Sequence, residues 1–177
     1  MPDDPPFDPD PIIETLVRHN VEFVLIGGFA AVVRGAPFVT FDVDITPKPD
    51  KQNLTRLSSA LKELGARVRT QDVDGGLPFD HDADSLAPAG VWNLTTRYGD
   101  LDISFVPTGT EGFGDLRRDA TSETLRDLHV VVASLADIVR SKGAANRPKD
   151  QRSLPLLREL LARESEQRRQ RGRRTQS

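Results

Sequence analysis

Residues 41–45 read Phe41-Asp42-Val43-Asp44-Ile45, with apolar and acidic residues in strict alternation. Residues two apart on a strand share a face. The segment therefore predicts a strand with Phe41, Val43 and Ile45 on an apolar side and both carboxylates on the other. Neighbouring carboxylates repel, and a divalent cation relieves that repulsion. Magnesium suits the role, because it takes one or two carboxylates together with substrate phosphates. An ordinary amphipathic strand with a wet acidic face is the other reading.

Upstream, Phe23-Val24-Leu25-Ile26 is a buried-strand pattern that ends in Gly27-Gly28. Glycines at that point let backbone approach a ligand closely and leave free N–H groups at a helix start, as in a phosphate cradle; a simple tight turn is the alternative. Downstream, Leu101-Asp102-Ile103 sets one acid between apolar neighbours. An acid there is costly unless it is paired, metal-bound or on the wet face of an edge hairpin. If its strand lies beside Asp42 and Asp44, the three carboxylates converge and can hold two magnesium ions. Lys142, late on a helix that opens at Ser134, is placed either to neutralise triphosphate charge or to answer the helix dipole.

The remaining pattern is mixed. Apolar spacing predicts a helix over 11–20 with Asp10 as N-cap, a short helix over 29–34 and an amphipathic helix over 51–64 carrying Leu54, Leu57, Leu61 and Leu64. A short strand is expected near Val68. Residues 71–90, rich in Asp, Gly and Pro, are expected to be a loop. Residues 91–98 and 101–106 are expected to pair around Gly99-Asp100, and 128–132 to form another strand. Asn146-Arg147-Pro148 breaks the Ser134 helix, and a last helix runs from Lys149 towards Arg163. This order predicts an α+β chain in which helices pack on a small mixed sheet and a helical segment follows.

The 177 residues suit one domain with a small appendage, and their 37% apolar content is enough for a core. The absence of cysteine excludes disulfide frameworks, thiolate zinc sites and cysteine nucleophiles. His19, His81 and His129 form no metal-binding pair. No apolar run spans a bilayer, and the acidic, proline-rich Met1–Pro6 is not read as a signal peptide. A cytoplasmic location without membrane attachment is expected. Net charge is −3, yet Arg168, Arg169, Arg171, Arg173 and Arg174 crowd the C-terminal region. That run is either a solvated terminus or a phosphate-binding one.

Taken in order, Ile26-Gly27-Gly28, Asp42-Val43-Asp44 and Leu101-Asp102-Ile103 resemble the DNA polymerase beta-like nucleotidyltransferase superfamily. The run Lys142…Arg147-Pro148-Lys149-Asp150 is similar to its AbiEii-type branch, which includes MenT-like toxins of bacterial toxin–antitoxin pairs. The resemblance covers about Pro11 to Leu161. It implies a nucleotidyltransferase core over 1–133, a C-terminal helical part over 134–164 packed on it, and a basic flexible tail over 165–177. It further implies that Gly27 and Gly28 bind nucleotide phosphates, that Asp42, Asp44 and Asp102 bind magnesium, and that Asp102 activates the acceptor hydroxyl. Lys142 and Arg147 would meet the triphosphate, with Asp150 orienting the basic side chains. The chain departs from many relatives at Ser153, where they carry a second acid.

The implied reaction is transfer of a nucleoside monophosphate from a nucleoside triphosphate to an acceptor hydroxyl. The resemblance favours a tRNA 3′ end as acceptor and a cognate antitoxin as partner. Trp92, Tyr98, Phe105 and Phe113 are the aromatic residues available to stack on RNA bases or to fill the core. A small cationic acceptor of the aminoglycoside kind would want an acidic pocket, which Asp72, Asp74, Asp80, Asp82 and Asp84 offer if they are not a solvated loop. A protein side chain is a further acceptor class, and a non-catalytic nucleotide-binding module is the reading from outside enzymology. Thr40 and Thr46 flank the acidic pair, where phosphorylation would oppose nucleotide binding.

Overall fold

The computed structural model describes residues 7–174; the Met1–Pro6 segment and residues 175–177 lie outside the described residues. Helix α1 (Pro9–Arg18) begins two residues earlier than its apolar spacing suggests. Asp8, not Asp10, is the N-cap, accepting from the Asp10 N–H at 3.2 Å, because Pro9 fits the first helical position where no N–H is needed. Strand β1 (Phe23–Ile26) runs directly into α2 (Gly27–Val33), and β2 (Asp42–Pro47) follows. Helix α3 (Lys51–Glu63) is capped by Asp50, whose carboxylate accepts from the Asn53 N–H at 2.9 Å.

Strand β3 (Arg67–Val68) is only two residues long. The stretch expected to be one loop contains α4 (Ala83–Leu86) and a 3-10 turn (Ala87–Ala89). Asp82 and Ser85 close a reciprocal capping box there, and Leu86 is fully buried beneath it. Strands β4 (Val91–Thr96) and β5 (Gly99–Ser104) form the expected hairpin, with its turn at Arg97-Tyr98 rather than Gly99-Asp100. The Thr96 hydroxyl accepts from the Tyr98 N–H and donates to the Gly99 carbonyl, closing the turn early. Helix α5 (Phe113–Asp119) and strand β6 (Thr121–Leu125) have no clear sequence signal; no residue of β6 is fully buried. Strand β7 (Leu128–Val132) and α6 (Leu135–Ala145) follow as expected, and Ser134 caps α6. Helix α7 (Pro148–Arg174) continues past Arg163, its exposed turns carrying Arg163–Glu159 and Arg168–Glu164 pairs at i,i+4. Pro155 lies inside it.

The sheet order is β3-β4-β5-β2-β1-β7-β6. Strands β1 and β2 are antiparallel, whereas β2–β5 and β1–β7 are parallel. Parallel neighbours require crossovers, which α3 and the helices after it supply. On β2, Val43 and Ile45 are completely buried in a core shared with Ile12, Leu16, Leu57 and Leu61. Each such side chain contributes about 2 kcal/mol, enough to pin the strand's register and force Asp42 and Asp44 to the opposite face.

Candidate active site

Strand pairing decides where the acids meet. In the parallel β2–β5 ladder, Asp44 lies opposite Asp102 and Asp42 opposite Asp100. Paired residues point to the same face, so Asp42, Asp44 and Asp102 converge: one carboxylate oxygen from each lies within 4.8 Å of the others. The Thr40 hydroxyl donates to Asp42 Oδ1 at 2.9 Å and fixes that carboxylate. Burial, then the charges of Asp42 and Asp102, push the Asp44 carboxyl up to about 7; Lys149 and Lys142 pull the other way. Burial also raises Asp102, opposed chiefly by Arg69.

Three hard oxygen donors whose repulsion is only partly offset by Arg69, Lys149 and Lys142 fit a divalent cation. Oxygens on one magnesium ion lie at most about 4.2 Å apart, given bond lengths of about 2.1 Å. Small side-chain rotations would bring the set within that range.

Gly27 sits against this group. Its φ is +68°, and a Cβ there would stand 2.3 Å from Asp44 Oδ2. Backbone at this point therefore touches the carboxylate directly, which only glycine permits.

The triad opens into a cleft of about 870 Å³. Gly27, Gly28, Asp42, Asp44, Asp102, Lys142 and Arg147 all line it. Of the residues expected at the site, Asp150 alone lies behind the wall, completely buried. Its carboxylate accepts from Lys142 Nζ at 3.0 Å and Arg147 Nε at 2.7 Å. Burial raises the Asp150 carboxyl, but the bonds from Arg147 and Lys142 outweigh it and hold the group below its usual range. Ser153, where a second acid was wanted, bonds back to the Asp150 carbonyl at 3.1 Å.

Several side chains fall elsewhere than the sequence suggests. Lys149 is close enough to act on Asp44, and it lines the cleft together with Arg152. Arg69, which no sequence pattern marks, pairs with Asp100 and Asp102 at 2.6 and 2.9 Å. Phe41 is not on the buried face of β2; the strand begins at Asp42, and Phe41 is 73% exposed at the cleft with Phe38 and Val39. The four expected stackers are not cleft residues. Phe105 is core, Tyr98 and Phe113 pack against the core, and Trp92 sits against Phe79 with its Nε1 donating to the Leu86 carbonyl. None of Asp72, Asp74, Asp80, Asp82 and Asp84 lines the cleft; Asp82 caps α4 and Asp84 pairs with Lys51. Thr46 is fully buried, so its hydroxyl is closed to a kinase, whereas Thr40 lies at the cleft.

No protein-family model matches the sequence, and a search of curated proteins finds no match. Solved structures do match. The lincosamide antibiotic adenylyltransferase LnuA, with lincomycin bound, is 15% identical with a TM-score of 0.58, covering 87% of this chain and 98% of that one. ANT(2")-Ia in complex with adenylyl-2"-tobramycin is 17% identical with a TM-score of 0.55, covering 95% and 96%. A solution structure of the antibiotic-resistance factor ANT(2'')-Ia gives 15% identity and a TM-score of 0.53, covering 95% of each chain. At these identities the likeness is one of fold, and it extends over nearly the whole chain.

Proposed function

We propose that this chain is a magnesium-dependent nucleotidyltransferase that directs an acceptor hydroxyl onto the α-phosphorus of a nucleoside triphosphate and releases pyrophosphate. The observation that carries the reading is the facing of two charge sets across one cleft. Asp42, Asp44 and Asp102 stand on the sheet, and Lys142, Arg147, Lys149 and Arg152 line the helical wall. Two magnesium ions would be held by the triad and would supply charge neutralisation on the phosphoryl oxygens. Lys142 and Lys149, whose charges act on Asp44, bind the departing pyrophosphate. Gly27 and Gly28 let the triphosphate approach the backbone. Asp102, on the side of the triad held by Arg69, takes the proton of the acceptor hydroxyl. Asp150 acts through Lys142 and Arg147 by fixing their positions.

The acceptor we favour is the 3′ end of tRNA, the chain acting as the toxin of a bacterial toxin–antitoxin pair, restrained in the cytoplasm by a cognate antitoxin. In support, α7 begins at the cleft with Lys149 and Arg152 and ends in a dense arginine run; such a charged track suits an RNA backbone. On this division 1–133 is the catalytic core, 134–164 supplies the phosphate-binding wall and 165–177 contacts RNA. A small-molecule acceptor is the second reading, favoured by the fold likeness to LnuA and ANT(2")-Ia.

The test is label transfer. Protein, magnesium and each α-labelled nucleoside triphosphate are incubated with total tRNA, or with an aminoglycoside or lincosamide, beside an Asp42→Ala control. Label entering tRNA with the wild type alone supports the first reading. Label entering only the antibiotic supports the second. Nucleotide binding without transfer to any acceptor defeats the catalytic reading.

A further inference from the structure

We infer that Arg69 is a positioning residue for Asp102, one that aims this carboxylate into the triad rather than merely neutralising it. The inference rests on the proposal that the triad holds divalent metal, and deepens it. Arg69 follows β3 at the sheet's end, its backbone N–H donating to the Asn93 carbonyl at 2.8 Å. Asn93 on β4 is the register partner of Asp102 on β5. The guanidinium therefore reaches across β4, from one strand to the second beyond it, a span of about 9–10 Å between strand axes.

The contact is close and many-pointed. Arg69 Nη2 lies 2.9 and 3.1 Å from Asp102 Oδ1 and Oδ2, and Nη1 lies 2.6 Å from Asp100 Oδ2. A planar guanidinium that hydrogen-bonds Asp102 through Nη2 and is ion-paired to Asp100, two residues away on the same strand, cannot rotate freely. Nη2 meets both Asp102 oxygens while one of them stays within 4.8 Å of oxygens of Asp42 and Asp44. Outer groups that hold a metal ligand in this way set its orientation and its affinity.

Two roles for Arg69 predict opposite signs. If the arginine only offsets negative charge, removing it leaves the triad more negative, and a dication binds more tightly. If it aims Asp102, removing it weakens binding although the site gains negative charge. Lysine separates the roles again: it keeps the charge and loses the fork.

The measurement is Mn2+ affinity, by electron paramagnetic resonance and calorimetry without nucleotide, on the full chain. Wild type, Arg69→Gln, Arg69→Lys and Asp42→Ala are compared, with thermal unfolding in EDTA to show that each folds. We expect Arg69→Gln to bind Mn2+ about 10–100-fold more weakly, and Arg69→Lys to weaken it as well. Equal or tighter binding by Arg69→Gln overturns the inference, as does wild-type affinity in Arg69→Lys, which alone decides the matter should Arg69→Gln not fold. If Asp42→Ala binds Mn2+ like wild type, the metal reading of the triad fails instead, a result distinct from failure of the Arg69 role.

Discussion

Without metal, the protein should lose stability as pH rises from about 4 to about 7, and Asp44 should be the cause. Its carboxyl stands at about 7 in the fold against an ordinary 3.8. Between those values the folded state holds a proton that the unfolded state has released, so unfolding becomes easier with each increment of pH. A raised acid thus gives stability that is present at low pH and is lost as pH climbs towards 7. At about 1.4 kcal/mol per pH unit, the full interval is worth about 4 kcal/mol, or about 8–16 °C in Tm for a chain of this size. The assay is thermal unfolding in EDTA from pH 4.5 to 8, wild type against Asp44→Asn, with the difference between the two curves removing the contribution of other titrating groups. Asp44→Asn, nearly isosteric and uncharged, should be the more stable protein at pH 8 and should close most of the gap by pH 4.5. Saturating magnesium should erase the wild-type loss at pH 8, because the cation replaces the proton. If the difference between the curves is independent of pH, or if Asp44→Asn is the less stable protein at pH 8, the account of repelling carboxylates is wrong.

Gly27→Ala sets a Cβ against Asp44 at a left-handed backbone position; it should cost about 1–3 kcal/mol and weaken Mn2+ binding, both read by titrated thermal unfolding. Lys142→Met should cost about 2–3 kcal/mol in urea unfolding, short of the roughly 3–5 kcal/mol for orphaning a buried charge because Arg147 still holds Asp150. The double change Lys142→Met with Asp150→Leu should recover most of that stability. Phe41→Ala, at a ring 73% exposed, should leave stability within about 0.5 kcal/mol. On the RNA reading it should raise the acceptor KM about 10-fold with little change in kcat, the scale of losing one base–aromatic stack.

Local pattern was enough for the elements that make the site. Alternation placed Asp42 and Asp44 on one face, and leucine spacing drew α3 almost to the residue. Asp102 was recognisable as an acid out of place, but its position opposite Asp44 is a property of sheet order. Arg69 was invisible because its role depends on reaching across β4, which no spacing along the chain encodes. Phe41 misled for the opposite reason: its alternation is perfect, yet the chain joins the sheet one residue after the pattern begins. The acidic stretch from Asp72 to Asp84 drew attention by composition, whereas Asp82 and Asp84 serve a cap and a surface ion pair.

Helix α7 carries one more consequence. Over 27 residues it extends about 40 Å, with its first turns in the cleft wall and its last turns exposed. Pro155 offers no N–H to the Gln151 carbonyl, so the ladder of backbone bonds lacks a rung between the two ends. Leu154 and Leu157 are buried and Leu160 and Leu161 pack against the core, so the helix is seated at and beyond that gap. The arginine run is thus carried on exposed turns beyond Leu161, while Lys149 and Arg152 sit on the seated half of the helix in the cleft wall.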